Sequence, residues 1–99
     1  MSYSLVIRPE AEFDIQDAYK YYESKETGLG SEFVRAVDAC LSKVGRNPES
    51  YPVVHKQIRR SLLRRFPYGI FYIIENTTIV VIACFHAKRS PKNWAGRNS

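Results

Sequence analysis

Residues Ile79 to Phe85 form the longest uninterrupted apolar run in the chain, seven residues that are rich in β-branched side chains. Strand side chains alternate between two faces, so a run that is apolar at every position predicts a central strand, with neighbours on its edges and helices over one side. It is far too short to cross a bilayer, which takes about 20 apolar residues. The segment just before it, Tyr68 to Glu75, is also aromatic and β-branched, and the short Asn76-Thr77 link between the two suits a tight hairpin.

The first half has a different period. Tyr3 to Arg8 reads as a short strand that Pro9 stops, and Pro9 with Glu10 and Glu12 suits the first turn of a helix. Ala11, Ile15, Ala18, Tyr19 and Tyr22 mark one face of that helix, and Gly28 and Gly30 break it. A second helix carries Phe33, Val37, Cys40, Leu41 and Val44 inward and ends at Gly45, Asn47 and Pro48. Two such helices joined by a glycine turn predict an antiparallel hairpin.

Pro48 to about Lys56 reads as a loop, followed by an arginine-bearing strand from Ile58 to Phe66. By parity Ile58, Arg60, Leu62, Arg64 and Phe66 share one face, and Arg59, Ser61, Leu63 and Arg65 the other. Only one arginine pair is then expected to point at a functional surface. The predicted fold is α+β, in the order β-α-α-β-β-β: an antiparallel meander sheet packed against a two-helix hairpin. Its 99 residues suit one domain, residues 1–99, and the hydrophobic content of 44% suffices for a core. The polar tail from Ala87 to Ser99, broken by Pro91, is expected to pack around Trp94.

Charge is divided unevenly. From His55 to Ser99 there are nine basic residues (Lys56, Arg59, Arg60, Arg64, Arg65, Lys88, Arg89, Lys92, Arg97) and one acid, Glu75, a balance of +8. Met1 to Val54 carries six basic and nine acidic residues, a balance of −3, and the two halves sum to the formal +5. A positive potential focused in this way attracts polyanions, either a nucleic acid or an acidic protein segment. No leader or membrane span is visible, and Cys40 and Cys84 read as buried free thiols, so a cytoplasmic protein is expected. His55, His86, Cys40 and Cys84 lack ligand spacing, so neither a metal nor a cofactor is expected.

Arg59-Arg60-Ser61-Leu62-Leu63-Arg64-Arg65-Phe66-Pro67-Tyr68, the aromatic strand Ile70-Phe71-Tyr72, and the closing His86-Ala87-Lys88-Arg89-Ser90-Pro91 with Trp94 resemble the RelE/ParE superfamily of bacterial toxins. The early strand ending in Pro9 and the acidic helix with Asp14 and Tyr22 extend that resemblance over nearly the whole chain. It implies the toxin of a type II toxin-antitoxin module, in a family with plasmid-stabilisation branches, held inactive by an antitoxin that wraps around it. RelE-like members cleave messenger RNA in the ribosomal A site, whereas ParE-like members inhibit DNA gyrase. One scaffold carries both, so the site must decide between them.

RNA cleavage requires a proton acceptor, a proton donor and cations that offset charge growing on phosphate. His86, at the end of the last strand, is the candidate acid or base. Arg60 and Arg65 are its candidate catalytic partners, and Arg59, Arg60, Arg64, Arg65, Lys88 and Arg89 are candidates for binding nucleic acid or antitoxin. The plainer alternatives are a histidine marking a strand exit and a charged face that guards a sheet edge. Ala87 stands where some ribonuclease members carry a tyrosine, and the His86, Arg89, Pro91, Trp94 ending is common in ParE-type members. Three functions remain open: a ribosome-dependent endoribonuclease, a non-enzymatic gyrase inhibitor, and a binding protein without toxicity. All three imply an acidic antitoxin segment over the basic sheet, in a toxin-antitoxin hetero-oligomer.

Overall fold

The computed structural model describes residues 2–89. The expected tail around Ser90, Pro91, Lys92, Trp94 and Arg97 lies outside the described residues. In chain order the elements are strand β1 (Ser4–Ile7), helices α1 (Pro9–Lys25) and α2 (Leu29–Arg46), a 3-10 turn (Pro48–Ser50), and strands β2 (Val53–His55), β3 (Ile58–Leu62), β4 (Tyr68–Glu75) and β5 (Thr78–His86). The five strands form one sheet in the order β1-β5-β4-β3-β2.

The apolar run is indeed central, with β1 on one side of β5 and β4 on the other. Strands β2 to β5 form the expected antiparallel meander, but β1 joins β5 in parallel, from Ser4 opposite Thr78 to Ile7 opposite Val81. The helical hairpin carries the chain from β1 to β2 at the opposite edge, and the meander then returns to set β5 parallel to β1. Asn76, at φ 57°, makes the tight turn between β4 and β5.

Two departures lie in the stretch before β4. Six of the nine residues of the expected loop from Pro48 to Lys56 are structured, as the 3-10 turn and the edge strand β2. Strand β3 stops at Leu62 rather than Phe66, and Arg65 adopts φ 72° in the turn that follows. Parity therefore holds through Leu62 and fails for Arg64 and Arg65.

Helix-side packing follows the predicted periodicity. Ala11 and Ala18 of α1 and Phe33, Val37, Cys40 and Val44 of α2 are buried with Leu63, Phe66, Ile70, Tyr72, Ile79, Val81 and Cys84. Phe33 stacks on Tyr22 (5.4 Å) and meets Phe66 (5.3 Å) and Tyr68 (5.2 Å) edge-on, an arrangement that aromatic quadrupoles favour. The opposite sheet face holds a second buried apolar group, Ile58, Phe71, Ile73, Val80, Ile82, Ala83 and Phe85.

The helices are locked together by Glu23, whose carboxylate accepts the backbone N–H groups of Gly28 (3.0 Å) and Gly30 (2.9 Å). Those donors would otherwise be orphaned where α2 begins. Gly28, at φ 91°, makes the turn, as expected of a helix breaker. Gly30 instead lies inside α2, buried, and a Cβ there would come within 2.8 Å of the Tyr19 carbonyl oxygen. It is needed for the close approach of the helices rather than for the turn.

Candidate functional site

A cleft of about 310 Å³ opens where α1 crosses the end of β5, lined among others by Asp14, Asp17, Tyr21, Tyr68, His86 and Arg89. A β-bulge aims His86 into it. The β4–β5 register slips by one residue between the Phe71–Ala83 and Tyr72–Val81 pairs, leaving Ile82 extra. Ile82 and Ala83 thus both turn away from the helices, while Cys84 and His86 turn toward them. His86 sits opposite Tyr68, with ring centroids 5.8 Å apart, and its Nδ1 accepts the Lys88 N–H at 3.2 Å.

Asp14, half-buried on α1, bonds to the strand as well as lining the cleft. Strand β1 ends opposite Val81, so among the described residues the far half of β5 has no strand on that edge, and the Cys84 N–H donates to Asp14 Oδ2 at 3.1 Å. A carboxylate on α1 thereby takes the place of a missing strand partner. Asp17 is exposed on the same helix wall three residues on. Burial raises the pKa of Tyr68 and, more strongly, that of the Cys84 thiol, to which the charge of Asp14 adds. Both groups therefore stay protonated near neutral pH. Arg89 closes the rim, its guanidinium 4.9 Å from the Phe85 ring centroid.

The arginines of the expected catalytic and binding set are dispersed. Arg59 points to the helix side and donates from Nη1 to the carbonyls of Tyr51 (2.6 Å) and Glu49 (3.1 Å), tying down the segment before β2. Arg60 lies on the opposite face, across from Phe71, with its stem over Gly69, and reaches the Ala87 carbonyl at 3.4 Å. Arg65 forms an exposed ion pair with Glu32 of α2 at 3.0 Å. Arg64 lines a groove beside α2 with Lys43, and Lys88 is exposed past β5. Of the expected set, only Arg89 joins His86 in lining the cleft.

Tyr72 is core, fully buried, its hydroxyl donating to the Pro48 carbonyl at 2.6 Å. Burial pushes its pKa well above the ordinary tyrosine range. Sequence reasoning left out Asp17, Tyr21 and Tyr68 as cleft residues. Asp14, Asp17, Ala18 and Tyr21 recur at helical spacing on a second face of α1, a signal overlooked because the apolar face dominates.

The geometry has counterparts. Residues 5–91 match the family model described as "ParE toxin of type II toxin-antitoxin system, parDE". The chain belongs to the ParE toxin family. No curated protein matches it. Among solved structures, the chromosomal ParDE toxin-antitoxin system from P. aeruginosa aligns with a TM-score of 0.77 at 15% identity, over 86% of this chain and 96% of that one. The toxin-antitoxin complex RelBE2 from Mycobacterium tuberculosis aligns with a TM-score of 0.60 at 17% identity, over 87% of this chain and 99% of that one. At such identities the likeness is one of fold, and the RelE/ParE superfamily expectation is met by the family match. Among the described residues no helix is long and apolar enough to cross a membrane.

Proposed function

We propose that this family member arrests growth by binding DNA gyrase rather than by cutting RNA, and that its cognate antitoxin holds it inactive as a hetero-oligomer. The observation that carries this reading is the match of residues 5–91 to the ParE toxin family model, and the placing of the side chains supports it. The imidazole turns toward the helices beside Tyr68, Arg60 occupies the other sheet face, and Arg65 is engaged by Glu32. A phosphate at His86 would meet Arg89 within the cleft, whereas Arg60 starts from the other face and reaches the Ala87 carbonyl, and Arg65 pairs with Glu32. The cationic side chains serve instead as a dispersed contact surface, consistent with recognition of a large partner.

The endoribonuclease reading keeps one supporting observation. His86, Tyr68 and Arg89 share a cleft, which offers a proton carrier, a phenol and a cation in one place. Inducing the chain without its antitoxin separates the two. Gyrase inhibition predicts intact ribosome-bound message, an SOS response and, with purified gyrase, loss of supercoiling. Cleaved message with undisturbed supercoiling would reverse the choice, and harmless induction would leave only a binding protein without toxicity.

A further inference from the structure

The cleft between α1 and β5 is walled by carboxylates and aromatic rings, in a chain whose formal net charge is +5. Asp14 and Asp17 lie on one face of α1, with Tyr21 one turn further on. Asp17 is exposed and forms no ion pair among the described residues. Asp14 is half-buried and held in place by the bond from the Cys84 N–H at 3.1 Å. Against these two carboxylates the lining sets one permanent cation, Arg89.

The floor and rim point to the same ligand chemistry. Cys84 lines the cleft although it is 1% exposed, and its thiol has no hydrogen-bond partner among the described residues. A buried polar atom thus faces the cavity with its bonding capacity unused. Two of the chain's own cations already rest on aromatic rings of the lining. The Lys25 ammonium is 5.0 Å from the Tyr21 ring centroid, and the Arg89 guanidinium is 4.9 Å from that of Phe85. Aromatic faces attract cations, and a guanidinium can pair with a carboxylate while its plane lies on a ring. The same two carboxylates repel a phosphate. At about 310 Å³ the cavity stands at the small end of the roughly 300–1,000 Å³ typical of ligand sites, which suits a single long side chain.

We propose that this cleft receives the guanidinium of an arginine side chain on the surface of a protein partner. Asp17 pairs with it, the charge of Asp14 reinforces the attraction, and Tyr21 and Tyr68 flank its stem. The proposal rests on the reading that the chain binds gyrase, and it names one contact of that complex: an arginine of gyrase enters between α1 and β5.

The test begins with the free chain, titrated with N-acetyl-arginine amide while backbone amide shifts are followed by NMR. The amides of Asp17, Cys84 and His86 should shift saturably, and inorganic phosphate should leave them in place. Asp17→Asn, at an exposed position, should weaken this binding by up to about fivefold, and Asp17→Lys should abolish it. With purified gyrase, Asp17→Lys should raise the Kd by about tenfold or more at low salt, with an unchanged melting temperature for the free chain. The absence of a saturable shift, or shifts driven by phosphate instead, would overturn the site. Tighter binding of putrescine than of the arginine derivative would overturn the partner side chain in favour of a free polyamine. Unchanged gyrase affinity in Asp17→Lys would overturn the gyrase contact, and a weakened antitoxin complex in that variant would give the arginine to the antitoxin. A parent chain that binds the arginine derivative but not gyrase would overturn the functional reading and its partner while leaving the guanidinium site intact.

Discussion

The two ends of the sheet that hold function-bearing side chains are built in opposite ways. At the α1–β5 end the charges are mixed and anchored: Asp14 holds the Cys84 N–H, His86 accepts the Lys88 N–H, and Arg89 lies over Phe85. At the β3 end cations predominate: Lys43 and Arg64 stand exposed beside α2 and the strand, and Arg65 pairs with Glu32. A sequence that reads as one basic half thus folds into a polar cleft, a cationic edge and one structural arginine, Arg59. Net charge on a segment says which partners a chain attracts, while the sheet decides where each charge can act.

The largest expected effect strikes what both ends share. Phe33→Ala empties the aromatic cluster under the cleft and beside the turn, and should cost about 3–5 kcal/mol of stability in urea titration. Adjacent arginines sharpen the contrast next. Arg59→Ala removes two charge-assisted hydrogen bonds to backbone carbonyls and should cost about 1.5–3 kcal/mol. Arg60→Ala, which loses one long contact, should cost under about 1 kcal/mol. Equal losses at the two positions would remove the distinction between structural and available arginines.

A pH titration probes the cleft side alone. Burial raises the folded-state pKa of the Cys84 thiol, so its contribution to stability is complete below the unfolded thiol's ordinary range, about 8.5. It is lost as pH climbs above that value, because the unfolded chain then releases a proton that the folded chain retains. Stability should therefore fall through the alkaline range, and Cys84→Ala should flatten the decline. Ellman's reagent should modify neither Cys84 nor Cys40 in the native protein, both being buried. The smallest effect belongs to the β3 end: Glu32→Gln breaks an ion pair whose side chains are 75% and 39% exposed, and should cost no more than about 1 kcal/mol, less in high salt.

Periodicity made the helices, the hairpin and the central strand readable, because each buries a face that repeats at 3.6 or 2 residues. Strand β2 escaped because three residues carry no period, and Pro52 beside them reads as a breaker. The end of β3 escaped because Leu63, Arg64 and Arg65 continue an apparent alternation into a turn, where Arg65 at φ 72° leaves the strand conformation. The parallel pairing of β1 is a long-range choice that local pattern does not encode. At the candidate site, His86 and Arg89 were legible as residue types, but the bulge at Ile82 that gives His86 its side was hidden inside a uniformly apolar run. Asp17, Tyr21 and Tyr68 came to the cleft through packing of α1 on β5, which only the assembled fold reveals.

Growth arrest by binding, without RNA cleavage, is most directly tested by inducing His86→Ala beside the parent chain without antitoxin and mapping message ends on ribosomes. The account predicts that the variant still arrests growth and that messages stay intact in both cultures. Cleaved messages with the parent chain, abolished together with growth arrest by His86→Ala, would contradict it.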